Sequence, residues 1–102
     1  MMTSVDTDLI RVLADPLRLK IVTLLARETL CTTHLVEETG AKQTNLSNHM
    51  KVLREAGVVD TEPCGRFIYY KLRPEVLAGL SEQFAALADS AHTASENKRA
   101  CP

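Results

Sequence analysis

Two groups of side chains in this sequence have the types and spacing to do chemistry. The first is soft: Cys31 stands three residues before His34, and two more thiols, Cys64 and Cys101, lie far along the chain. Thiolates hold thiophilic species such as As(III) and Cd(II), and a thiol beside an imidazole is the minimal equipment of a nucleophile with its base. The second is hydrogen-bonding. In Lys42 to Gly57, K-Q-T-N-L-S-N-H-M-K-V-L-R-E-A-G, the residues Leu46, Met50 and Leu53 recur at i, i+4 and i+7, the stripe of an amphipathic helix. Its outer face carries Gln43, Thr44, Asn45, Ser47, Asn48 and His49, where an ordinary exposed face would hold Glu, Lys and Ala. Short side chains that both donate and accept can read base-pair edges, Gln and Asn pairing with adenine, and they let a helix backbone approach the floor of a DNA groove.

Composition narrows the classes. At 102 residues and 45% hydrophobic content the chain is one globular domain with a small core. No apolar run approaches the roughly 20 residues that span a bilayer, and M-M-T-S-V-D-T-D has neither the basic nor the apolar region of a signal peptide. A cytoplasmic protein without membrane partners is expected. Three widely spaced cysteines are an odd number, so free thiols are expected in place of a disulfide framework. Catalysis finds no support beyond the Cys31 and His34 pair: there is no glycine-rich phosphate loop, no Cys-x-x-Cys and no carboxylate pair in a recognisable setting. The reading is of a binding protein and not an enzyme. Net charge is -1, but Ala41 to Arg73 holds six bases (Lys42, Lys51, Arg54, Arg66, Lys71, Arg73) against three acids, a local +3 on a body of -4. Such a patch suits an anionic partner.

The elements that must position these groups are four or five helices and one hairpin. Ser4 can cap a first helix running to about Ala14, and Asp15-Pro16 opens a second, to about Arg27, that buries Leu17, Ile21, Leu24 and Leu25. A third begins near Thr32 or Thr33 and stops at Gly40, and a tight turn joins it to the Lys42 helix, the organisation of a helix-turn-helix. After Gly57 the period changes to two. Val58 to Glu62 and Arg66 to Leu72 are strand-like, with Pro63-Cys64-Gly65 as turn chemistry and Arg66 near the tip. Tyr69 and Tyr70 alternate, so one is expected to pack and the other to be more exposed. Arg73-Pro74 opens a last helix with Leu77, Leu80, Phe84, Leu87 and Ala91 along one seam, and residues 96 to 102 form a flexible tail beyond a domain of residues 1 to 95. The fold class is mainly α with a small β-hairpin, a winged helix-turn-helix.

The wording of the sequence permits a closer comparison. D-P-L-R-L-K-I-V-T-L-L, L-C-T-T-H-L, Q-T-N-L-S-N-H-M-K-V-L-R-E-A-G-V-V and G-R-F-I-Y-Y-K-L-R-P, between Leu9 and Pro74, closely resemble the ArsR/SmtB family of metal- and metalloid-responsive bacterial repressors. The resemblance implies that Gln43, Thr44, Asn45, Ser47, Asn48 and His49 lie at or near the DNA-facing positions of a recognition helix. It implies too that Lys42, Lys51 and Arg54 meet phosphate, and that Arg66 reaches the adjacent minor groove or its phosphates. His49 has a second role open to it, bracing the turn.

Two expectations go beyond the motif. The terminal helices carry apolar stripes while the central helices already have their own, so Val5, Leu9, Leu77, Leu80, Phe84 and Leu87 are expected to form a homodimer that reads an inverted repeat in double-stranded DNA. The other concerns the effector. The resemblance places L-C-T-T-H-L where arsenite-sensing members carry Cys-x-Cys, with Cys31 on the first thiol and Thr33 on the second. The Asp-x-His by which zinc and nickel sensors begin their last helix is replaced by Pro74-Glu75-Val76-Leu77, leaving Asp89 and His92. A thiophilic effector such as As(III) or Cd(II) is therefore expected, with Cys31 as first ligand, then Cys101, then Cys64. Thiol oxidation is the alternative trigger, and a winged-helix module that binds protein is the alternative function.

Overall fold

The computed structural model describes residues 5 to 102. Its elements are α1 (Thr7–Leu13), α2 (Pro16–Leu25), β1 (Leu30–Cys31), α3 (Thr32–Thr39), α4 (Gln43–Glu55), β2 (Val59–Cys64), β3 (Phe67–Leu72) and α5 (Pro74–Ala94). The expected cap Ser4 lies outside the described residues. α1 is instead capped by Asp6, whose Oδ1 accepts from the Leu9 amide at 3.0 Å. Asp15 caps α2 as expected, accepting from the amides of Leu17 and Arg18 at 2.9 and 3.0 Å, with Pro16 at the first helical position where no amide is needed. The Arg18 amide, first among its neighbours, holds the Asp15 carboxyl below its ordinary pKa.

Two glycines set the limits of the helix-turn-helix. Gly40, left-handed at φ 72, ends α3, and Lys42 in extended conformation begins α4. Gly57, at φ 78, ends α4 in a Schellman motif: its own amide donates to Arg54 at 3.0 Å and the Val58 amide to Leu53 at 2.9 Å.

The core is centred on α2, α3 and α4. Ile21, Leu35, Leu46, Leu53 and Val58 are fully buried, with Val22, Leu25, Leu30, Met50 and Val59 nearly so, and each stabilises the fold by roughly 1.5 to 3 kcal/mol relative to exposure. α2 ends two residues earlier than its pattern suggested, and Val22 is buried where Leu17 and Leu24 are only half-buried.

The sheet differs from the expected hairpin in three ways. It has three strands in the order β1-β3-β2, because Leu30 and Cys31 pair antiparallel with Tyr70 and Tyr69. The turn is Gly65-Arg66, with Gly65 at φ 63, and not Pro63-Cys64-Gly65. Pro63 and Cys64 belong to β2 and face Ile68 and Phe67 in register; a proline fits there because β2 is an edge strand whose outer side needs no amide. Tyr69 and Tyr70 are both half-buried, Tyr70 on the core and Tyr69 edge-on to the His34 ring at 6.0 Å.

α5 has no buried residue in its 21. Val76 and Leu77 near its start pack on the core, and Gln83 accepts from the Asp6 amide at 2.8 Å. Among the described residues no helix is long and apolar enough to cross a membrane.

Candidate nucleic-acid interface

α4 combines a buried stripe with an outward polar face. Leu46, Met50 and Leu53 are 0 to 2% exposed, whereas Lys42, Gln43, Thr44, Asn45, Ser47, Asn48, Lys51 and Arg54 all lie on the surface. Among the described residues no side chain caps the start of α4, so the amides of its first turn remain available to an anion such as a phosphate. His49 differs from its polar neighbours: it is half-buried, with Nδ1 3.0 Å from Nη1 of Arg18. The contact ties α4 to α2. Arg18 was not singled out as a site residue in the sequence, because a contact across 31 positions leaves no local signal.

Ion pairs redistribute the basic segment. Lys71 pairs with Glu62 at 3.5 Å, and Arg73 with Asp60 at 3.7 Å and Glu75 at 2.9 Å. The Glu75 carboxyl is held below its ordinary pKa by its own backbone amide and by Arg73. Lys42, Lys51, Arg54 and Arg66 have no carboxylate partner among the described residues. The charge left for an external anion thus sits on α4 and the wing tip, where the Arg66 guanidinium lies 5.7 Å from the centre of the Phe67 ring.

The thiols do not converge. Cys31 is buried at the start of α3, its amide donating to His34 Nδ1 at 3.3 Å and its Sγ 3.4 Å from the same nitrogen. Cys64 is exposed at the end of β2, and Cys101 is exposed beyond α5. β3 lies between Cys31 and Cys64, so their Cα atoms are at least two strand spacings apart, roughly 9 to 10 Å, beyond disulfide reach. Among the described residues no three His, Cys, Asp or Glu side chains are grouped to hold a metal ion.

The expected dimer residues divide. Leu9 and Leu77 pack partly against the chain's own core, and Val5 and Leu80 are half-buried. Phe84 and Leu87 are 49% and 51% exposed. Between α1 and α5 runs an open groove of about 440 Å³ lined by Leu9, Val12, Gly79, Leu80 and Gln83 with Asp6, Asp8 and Glu75 at its edges.

Helix-turn-helix, wing and outward polar helix define the class of bacterial winged-helix regulators. The model of the bacterial regulatory protein arsR family matches residues 15 to 61. The arsenic resistance transcriptional regulator ArsR1 of Pseudomonas putida is 40% identical over 65 residues, 63% of this chain and 51% of that protein. The HTH-type transcriptional repressor SmtB of Mycobacterium tuberculosis is 39% identical over 71 residues, 70% of this chain and 53% of that one. The crystal structure of a possible transcriptional regulator for arsenical resistance superposes with a TM-score of 0.71 at 31% identity, covering 90% of this chain and 98% of that one. The chain belongs to the ArsR family. It spans about half the length of the first two relatives.

Proposed function

We propose that the protein is a transcriptional repressor that binds an inverted-repeat operator as a homodimer and is released by a thiophilic effector. The observation that carries the DNA-binding part is the outward face of α4, where Gln43, Thr44, Asn45, Ser47 and Asn48 stand exposed between cations without a carboxylate partner among the described residues. Amides and hydroxyls there read base edges, Lys42, Lys51 and Arg54 meet phosphate, and Arg66 extends the contact from the wing. Two chains joined through Phe84, Leu87, Leu80 and the remaining apolar surface of α1 and α5, Val5, Leu9 and Leu77 included, place two α4 helices on one side of the duplex.

For the effector, the thiols favour As(III), in line with relatives whose names carry arsenic resistance. A three-thiolate site is not preformed in a single chain, since no suitable group of three lies among the described residues. Cys31 is the first ligand in this reading, and Cys101, or Cys64 next, has to be brought to it from the tail, the wing or a second chain. Cd(II) would use the same thiols, and oxidation of the same thiols is the alternative trigger.

The test is operator binding titrated against salt and then against arsenite, cadmium and peroxide, with Cys31, Cys64 and Cys101 replaced singly and together by Ser. Affinity is expected to fall steeply with salt through counterion release, and arsenite is expected to release the wild type but not Cys31→Ser. Release of the triple variant by arsenite excludes the thiol mechanism. Release by peroxide alone replaces it with a redox trigger, and absence of any DNA binding at low salt returns the protein-binding module.

A further inference from the structure

Arg18 ties three elements together. Its Nε donates to the Val12 carbonyl at 2.6 Å, and its Nη1 lies 3.0 Å from His49 Nδ1. The Val12 carbonyl belongs to the last turn of α1, where a helix leaves its own acceptors without donors. The second contact fixes a proton. A guanidinium carries donors and no acceptor, so His49 Nδ1 must offer it a lone pair, and the ring proton of the neutral imidazole then sits on Nε2. Nε2 has no partner among the described residues, yet no buried side-chain nitrogen or oxygen among them lacks one, so Nε2 reaches solvent. Helical spacing puts His49 at the edge of the buried stripe, one turn from Leu46 and Leu53 on one side and from Asn45 on the other. One ring nitrogen thus faces Arg18 and the other reaches solvent at the edge of the buried stripe.

We propose that Arg18 is a positioning residue for the DNA interface: it holds His49 in the tautomer with Nε2–H outward, so that α4 presents a committed donor at this position. The matching group on the duplex is an acceptor, either a phosphate oxygen or a purine N7, and the cytosine amino group is refused there. The proposal rests on the reading of α4 as the DNA-facing helix. It differs from simple bracing because it assigns a chemical sense, donor and not acceptor, to the outer nitrogen.

Three measurements test it. Long-range proton–nitrogen correlation on the free protein, labelled with nitrogen-15 at histidine, is expected to show Nδ1 of His49 unprotonated and Nε2 protonated. Arg18→Met is expected to mix the tautomers, and Arg18→Lys, which keeps donor-only chemistry, to restore the wild-type pattern. Operator affinity supplies the second arm: Arg18→Met is expected to weaken binding about tenfold in the wild type and hardly at all in His49→Gln, whose side-chain amide supplies an outward donor without needing Arg18. The third arm uses duplexes with single 7-deazapurine or methylphosphonate substitutions. The modification that costs affinity with His49 but not with His49→Ala identifies the acceptor as N7 or phosphate.

A protonated Nδ1 in the wild type overturns the proposal. So does an equal loss from Arg18→Met in both backgrounds, which marks a purely structural arginine. If the wild type binds no DNA at low salt, the reading of α4 fails while the tautomer arm still decides what Arg18 does to His49.

Discussion

α4 and α5 are both amphipathic, and the chain treats them oppositely. α4 hides its apolar stripe completely and leaves amides, hydroxyls and cations outside. α5 is longer, buries nothing fully, and leaves Phe84 and Leu87 about half exposed. The apolar stripe of α4 is finished within the chain, and what the helix offers outward is, Val52 apart, polar and directional, suited to base edges and phosphate. That of α5 is unfinished, and what it offers is apolar and non-directional, suited to a second copy of the same helix. In the proposed function recognition and assembly therefore occupy different helices, and substitutions should separate them.

The sharpest separation comes from the core side of α4. Leu53→Ala removes a fully buried side chain and is expected to cost about 2 to 5 kcal/mol of stability, read as a fall in the urea midpoint; a loss below about 1 kcal/mol would mean that α4 is not anchored as described. Phe84→Asp should act in the opposite manner. It is expected to raise the dimer dissociation constant about a hundredfold or more and to remove operator binding with it, while far-ultraviolet dichroism stays native. A variant that sediments as a dimer would move the assembly surface away from α5.

Gly57→Ala probes the joint between α4 and the wing. Among the described residues a Cβ there meets only Arg73 Nη1, at an ordinary 3.5 Å, so its cost comes from the left-handed backbone and should be about 1 to 2 kcal/mol, measured by urea unfolding. The smallest effect is an acid one. Because the Arg18 amide lowers the Asp15 carboxyl below its ordinary 3.8, the folded state favours the ionised form. That stabilisation is complete above the unfolded value and disappears as pH falls through the folded one. The unfolding midpoint of the wild type is expected to drop in that acid range, and Asp15→Asn should flatten this part of the profile.

Much of the helical frame was legible because its signals are local. Asp15-Pro16 starts α2, Gly40 and Gly57 bracket the recognition unit, and Leu46, Met50 and Leu53 mark its inner face, all within a few residues of what they determine. The wing was read less well. β1 is two residues long, too short for alternation to register, and it exists because β3 lies alongside. Pro63 reads as a turn residue until the edge position of β2 is known. The basic segment was counted as six charges, yet Lys71 and Arg73 are paired across and beyond the hairpin, which composition cannot express. Arg18, part of the Asp15-Pro16-x-Arg18 start, was not read as a site residue for the same reason: its partners, Val12 and His49, lie on two other helices.

In the proposed function α4 reads DNA from a dimer built through α5. The most direct measurement is selection of binding duplexes from a random pool, followed by sedimentation of the selected complex. Two chains per duplex are expected, on an inverted repeat whose half-site centres lie about 10 base pairs apart or a multiple of that, with binding lost in Phe84→Asp. One chain per duplex, or selected sequences without twofold symmetry, would contradict it.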